Sequence, residues 1–238
     1  MNTILNCAAC GSTETVLKAD LNDERRIRFA AFSQLKYSGL LESWLEEIPP
    51  VILGCMYCGH SWYRHQPDPE QLEQMYSCGR SLNPGVPVQR EPSAKMIEEM
   101  KRFYYLIGKT SSAPSLLDFG SGFGRWARAA LSAGFKVTAF EPSLERGNEE
   151  QPPFELIHGL EGIEGCHFDA VQIEQVLEHV PDPLNTLKQI RVFCASKTLI
   201  RITVPNILRA PEGKNIWGLW PFDGNTPHIL APFEHLHG

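Results

Sequence analysis

Residues Ser115–Glu141 read SLLDFGSGFGRWARAALSAGFKVTAFE. A short apolar run, SLLDF, leads into glycines at 120, 122 and 124. Arg125–Ala133 is rich in alanine and suits a helix, and Phe135–Phe140 (FKVTAF) is a second strand-like run. Strand, glycine turn, helix and strand make up the βαβ unit of a parallel sheet. The alternation continues downstream. Phe154–His158 (FELIH), Asp169–Ile173 (DAVQI) and Lys197–Val204 (KTLIRITV) read as further strands, and Leu184–Phe193 reads as a helix. The pattern predicts an α/β fold with a doubly wound, mostly parallel sheet. Right-handed crossovers then place a ligand crevice at the C-terminal ends of the strands.

The glycine loop narrows the ligand. Glycines remove side chains and let a ligand approach the backbone. The dinucleotide fingerprint GxGxxG needs its third glycine at position 125, which is Arg125. The pattern is instead Asp118-x-Gly120-x-Gly122-x-Gly124, with an acid two residues before the first glycine. An acid there suits an ammonium-bearing ligand better than a pyrophosphate. Glu141 ends the second strand 23 residues after Asp118, where a carboxylate can accept from both ribose hydroxyls. The bland alternative is a glycine-rich turn beside a solvated surface Glu. A nicotinamide-dependent oxidoreductase is disfavoured by Arg125.

The stretch LLDFGSGFGRWARAALSAGFKVTAFEPS, with FDAVQIEQVLEHVPDP downstream, resembles the class I S-adenosylmethionine-dependent methyltransferases over about Ser115–Val204. The resemblance implies a Rossmann-like methyltransferase core and S-adenosylmethionine as cofactor. It implies that Asp118, Gly120, Ser121, Gly122 and Gly124 line the methionine side and that Glu141, followed by Pro142, holds the ribose. Leu160 and Glu161 would lie near the adenine, and Gln175 and Leu177 near the methionine end. In the LEHVPDP segment, three roles stay open for Glu178 and His179. They pin the loop by hydrogen bonds, or His179 is a general base, or the segment binds a cation. The ubiquinone-biosynthesis O-methyltransferases carry a similar ExxEH pattern that holds a divalent cation. Here Gln175, Glu178 and His179 match it, and the neutral Gln weakens a hard-cation site.

Cys7-Ala-Ala-Cys10-Gly11 and Cys55-Met-Tyr-Cys58-Gly59 form two matching CxxCG turns, which supply the four thiolates that tetrahedral zinc takes. The gap of 44 residues between them exceeds the usual 15–20. Glu24–Ile48 suits a helical insertion in that gap. A redox pair or unrelated buried cysteines are the alternatives. The combination resembles bacterial methyltransferases with an N-terminal zinc-binding segment, often linked to sugar or surface-glycan modification. CGHSWYRHQPDPEQLEQMY fits that subgroup, whereas the long gap departs from it.

The expected organisation is a zinc-ribbon-like segment over 1–65, a helical connector over 66–112 and a methyltransferase domain over 113–238. In the connector, Met96, Ile97, Met100, Phe103, Tyr104 and Ile107 recur at helical spacing, and Glu70–Tyr76 suits a shorter helix. The proline-rich residues after Val204 suggest a domain lacking its last strands, with His228, Glu234, His235 and His237 candidates for the acceptor side.

The chain has 238 residues and a net charge of −6. Residues 1–92 carry 8 basic and 11 acidic side chains and residues 93–238 carry 14 and 17, so each part holds −3. Neither part offers the basic footprint that a phosphate backbone requires, which argues against a nucleic-acid partner. No apolar run is long enough to span a membrane. With no export signal and an odd count of 7 Cys, reduced thiols in the cytoplasm are expected. The function these readings favour is methyl transfer to a small polar acceptor, with a non-catalytic methyltransferase-like binding module as the alternative.

Overall fold

The computed structural model describes residues 2–20, 51–68, 70–72, 74, 89–108, 113–144 and 151–204. The chain divides into two compact units, Pro87–Val176 with Asn185–Thr203, and Met1–Val86 with Leu177–Leu184 and Val204–Gly238. The expectations for Glu24–Ile48 and 205–238 fall outside the described residues.

The N-terminal unit is built from short antiparallel strands: β1 (Asn2–Thr3), β2 (Thr15–Asp20), β3 (Val51–Cys55), β4 (Ser61–Tyr63) and β5 (His65–Gln66). They form a three-stranded sheet in the order β2-β3-β4 and a two-stranded β1-β5 ribbon. Trp62 is fully buried and packs with Cys7 and Cys55, and its indole N–H donates to the Ile4 carbonyl at 3.1 Å.

The other unit begins with helix α1 (Ala94–Ile107). Ser93 caps it by accepting from the Met96 N–H at 3.3 Å, and Gly108 ends it in the left-handed conformation, at φ 66°. The helical spacing seen in the sequence buries Met100 and Phe103 and packs Met96, Ile97, Tyr104 and Ile107 around them. Strand β6 (Ser115–Phe119), helix α2 (Arg125–Ala133), strand β7 (Lys136–Phe140) and strand β8 (Glu155–Ile157) follow. A 3-10 turn over Leu160–Ile163, strand β9 (Phe168–Glu174), helix α3 (Pro183–Arg191) and strand β10 (Cys194–Thr203) complete the described elements.

The sheet runs β10-β9-β6-β7-β8 and every neighbouring pair is parallel. The order reverses direction at β6, so this is the doubly wound α/β sheet expected from the sequence. Its central strands bury both faces. Leu116, Leu117, Ala170, Val171 and Ile173 have no exposed surface. The parallel register sets Asp118 beside Ala139 on one side and Gln172 on the other, and sets Gln172 beside Arg201. Phe154, expected to start the third strand, is instead packed in the core beneath α2, and β8 begins one residue later.

Burial decides where substitutions cost stability. Met100→Ala removes a fully buried side chain from this core and should cost about 2–5 kcal/mol in denaturant unfolding. Tyr105→Ala, on the same helix but 84% exposed, should change stability by less than about 0.5 kcal/mol.

Candidate cofactor site and cysteine cluster

Three glycines let the chain turn tightly between β6 and α2. Gly120, Gly122 and Gly124 all have positive φ, at 77°, 56° and 74°. A Cβ on Gly120 would stand 2.5 Å from Val176 Cγ2, so no other residue fits without displacement. Four loop amides are already engaged. Gly120 and Ser121 donate to the Phe140 carbonyl at 2.8 and 2.9 Å, Gly124 donates to Ser121, and Gly122 donates to Glu141 Oε2 at 2.8 Å. The loop therefore keeps few donors for a phosphate.

The side chains around it are acceptors. Asp118 is 1% exposed, and one oxygen, Oδ2, has no hydrogen-bond partner among the described residues; the same holds for Ser121 Oγ. The other oxygen, Oδ1, accepts from Gln172 Nε2 at 3.4 Å. Burial pushes the Asp118 carboxyl up to about 7; the Gln172 hydrogen bond works in the opposite direction without prevailing. An acid held neutral by desolvation, with an unmet oxygen, is stabilised as the carboxylate by an incoming cation.

Glu141 is 6% exposed and follows the end of β7. Its second oxygen, Oε1, accepts from the Ser143 N–H at 3.0 Å, so the carboxylate ties the glycine loop to the β7 turn. Each oxygen keeps a further lone pair for a hydroxyl donor. His158, which sequence reasoning did not single out as a site residue, places Nδ1 2.7 Å from the Glu141 carbonyl and braces that turn. Pro142 is exposed, and Leu160 is half-buried in the 3-10 turn. Gln175 has φ 53°, an uncommon conformation for a side chain other than glycine, and its N–H donates to the Thr203 carbonyl at 3.0 Å. Helix α2 starts at Gly124 with no side-chain cap, which leaves first-turn N–H groups for a carboxylate.

The LEHVPDP segment belongs to the other unit. Leu177 and Glu178 are fully buried there, and His179 Nε2 lies 4.0 Å from Glu178 Oε1.

The same unit holds the cysteine cluster. Gly11 and Gly59 take positive φ, at 74° and 75°, and their amides turn back onto the carbonyls of Cys7 and Cys55 at 2.8 and 3.2 Å. The two turns face each other. Sγ of Cys7 lies 3.6 Å from that of Cys58, as does that of Cys10 from Cys55, and all four sulfurs lie within 4.8 Å of one another. These gaps are far too long for a disulfide. Four sulfurs at about 2.3 Å from a tetrahedral zinc stand about 3.8 Å apart, so the donor set fits that ion. Burial raises the Cys7 thiol. At Cys55 burial acts the same way, but the backbone amides of Cys58 and Tyr57 together with the Cys10 and Cys58 side chains lower the thiol to about 7. The Cys58 N–H points at Cys55 Sγ from 3.4 Å.

Two outcomes follow from this geometry. Gly120→Ala should destabilise the protein, and adding Val176→Ala should recover only part of the loss, because the positive φ remains; thermal unfolding of the single and double variants checks it. Asp118 has a folded pKa above its unfolded value, so its contribution to stability is full below about 4 and declines as pH rises through about 7. Stability measured from pH 4 to 8 should show that decline, and Asp118→Asn should remove it.

The profile of a family described as a methyltransferase domain matches residues 89–235, more than half of the chain. No curated protein sequence matches. Solved structures do. One is a putative methyltransferase from an antibiotic biosynthesis pathway of Anabaena variabilis, 16% identical with a TM-score of 0.40, covering 50% of this chain and 49% of that one. The glycopeptide N-methyltransferase MtfA, complexed with sinefungin, is 20% identical with a TM-score of 0.39, covering 50% of this chain and 58% of its own. The plantazolicin methyltransferase BpumL, in complex with a pentazolic desmethylPZN analog and SAH, is 15% identical with a TM-score of 0.39, covering 75% and 58%. This chain thus spans between 49% and 58% of the length of these structures. Among the described residues no helix is long and apolar enough to cross a membrane. The whole glycine loop, with Asp118 before it and Glu141 after it, lies inside the matched region, and the chain belongs to the methyltransferase domain family.

Proposed function

We propose that the chain is an S-adenosylmethionine-dependent methyltransferase acting on a small polar acceptor, such as a sugar or a surface-glycan precursor. The observation that carries the reading is the acceptor-rich glycine loop. Among the described residues Asp118 Oδ2 and Ser121 Oγ lack partners, Glu141 keeps lone pairs at the strand end, and the loop amides are mostly spent. That set suits a ligand that brings donors, an ammonium and two ribose hydroxyls. In this reading Asp118 holds the ammonium, Ser121 and the three glycines shape the methionine side, and Glu141 with Pro142 holds the ribose. Leu160 borders the adenine, while Gln175 and Leu177 approach the methionine end. Bound S-adenosylmethionine supplies an electrophilic methyl group, and the chain's task is mostly alignment of the acceptor with it. His179 serves as general base where the acceptor must lose a proton; otherwise Glu178 and His179 hold their loop.

The N-terminal cluster of Cys7, Cys10, Cys55 and Cys58 is, in the same reading, a structural zinc site that ties a segment over 1–65 too small to be held by its core alone. The connector over 66–112 then leads to the cofactor domain over 113–238. A cytoplasmic setting fits, because a reducing compartment keeps thiolates available to the metal. The even, negative charge speaks against nucleic acid as the acceptor.

Calorimetric titration with S-adenosylmethionine, S-adenosylhomocysteine and NAD tests the cofactor. The first two should bind and NAD should not, and Glu141→Ala should weaken binding by about 1.5–3 kcal/mol. A folded protein that binds NAD alone would overturn the reading, and cofactor binding without a methylated product from any acceptor would favour the binding-module alternative. Metal analysis should give about one zinc per chain, lost in the Cys7→Ser, Cys55→Ser double variant with a fall in Tm. A folded wild type without metal would exclude the site.

A further inference from the structure

Arg201 sits in β10, two strands away from Asp118, yet it is bound into the same polar line. Its guanidinium donates through Nη1 to Gln172 Oε1 at 3.4 Å and to Glu174 Oε2, and through Nη2 to Glu99 Oε2 of α1 at 2.9 Å. It also lies over the Trp126 ring of α2, 4.5 Å from the centroid. Gln172 has no exposed surface, and its Nε2 donates to Asp118 Oδ1 at 3.4 Å. The register Asp118–Gln172–Arg201 across β6, β9 and β10 puts the three side chains in one row.

A carboxamide has a donor end and an acceptor end. With Arg201 facing Oε1, Gln172 must present Nε2 to Asp118. Were the amide reversed, its NH2 would face the guanidinium and its oxygen would face Asp118, so the ionised form of Asp118 would lose its hydrogen bond and Arg201 its acceptor. We propose that Arg201 is a positioning residue for cofactor capture. Through Gln172 it assigns Oδ1 of Asp118 to the protein, leaves Oδ2 for the ligand's ammonium, and favours the carboxylate form that binds it.

This inference rests on the cofactor reading above and deepens it. The charged groups around Asp118 fit the assignment. Glu174 of β9 and Glu141 beyond β7 disfavour its ionisation, and Arg201 opposes them. Glu99 faces Arg201 from α1. From α2, Arg125 donates to the Glu91 carbonyl and Arg128 to the Phe123 and Gly124 carbonyls, with Arg128 lying 5.4 Å from the Phe154 ring centroid. Arg201 alone among these cations reaches Gln172. Its fork serves three partners at once, which a lysine cannot do.

The test is the pH dependence of S-adenosylhomocysteine affinity, followed by calorimetry from about pH 5.5 to 8. The ligand titrates identically in every arm, so differences belong to the protein. Wild-type affinity should rise with pH as Asp118 ionises. Arg201→Met and Gln172→Met should move the midpoint of that rise up by about half a pH unit or more. Arg201→Lys should move it less. Glu99→Gln removes only the far side of the guanidinium and should leave the midpoint unmoved. If Arg201→Met does not fold, the Gln172→Met and Arg201→Lys arms decide. Variants that bind with the wild-type midpoint and merely a lower Tm would make Arg201 structural and overturn the proposal. A folded wild type that binds no S-adenosylhomocysteine at any pH would overturn the cofactor reading itself, and this proposal with it.

Discussion

A carboxyl group buried at the end of a central parallel strand governs this protein. Asp118 cannot be moved, because β6 is paired on both sides and its neighbours Leu117 and Phe119 are buried. It cannot be fully solvated either. Its environment must therefore supply what water would, and the fold supplies half: one hydrogen bond from Gln172, and the field of Arg201 against those of Glu174 and Glu141. Its other oxygen, Oδ2, has no partner among the described residues. The glycine loop that follows spends its own amides on Phe140, Glu141 and Ser121.

The N-terminal unit solves a different problem. Its strands are two to six residues long and its buried cluster centres on Trp62 and two cysteines. These are the described residues of that unit. Two glycine-closed turns bring four sulfurs to distances that suit a tetrahedral ion and not a disulfide. On the proposed reading a metal held there would contribute folding energy directly.

Local patterns carried much of this. The glycines at 120, 122 and 124, the runs around 115–119 and 136–140, and the helical spacing of Met100 and Phe103 each follow from short-range rules, and the structure places them accordingly. The paired CxxCG turns were equally visible, since the spacing within each turn is local even though the turns are far apart. What stayed hidden depends on strand register. Nothing near Arg201 in KTLIRITV points to Asp118, which lies 83 positions away. One signal was present at Gln172: a polar residue amid Ala170, Val171 and Ile173 in a strand buried on both faces requires a partner. The boundary at Phe154 shifted because its ring is claimed by the core under α2. His158 closes the strand-like run FELIH in the sequence, while its role comes from a backbone carbonyl 17 residues away.

On the proposed reading, an ammonium-bearing cofactor turns Asp118 from acid to carboxylate. The direct measurement is the number of protons exchanged when S-adenosylhomocysteine binds near pH 6, obtained by calorimetry in buffers of different ionisation enthalpy. With the carboxyl at about 7, binding should release close to one proton per site, and Asp118→Asn should abolish the release. Binding to the wild type with no proton release, or with uptake, would contradict the account.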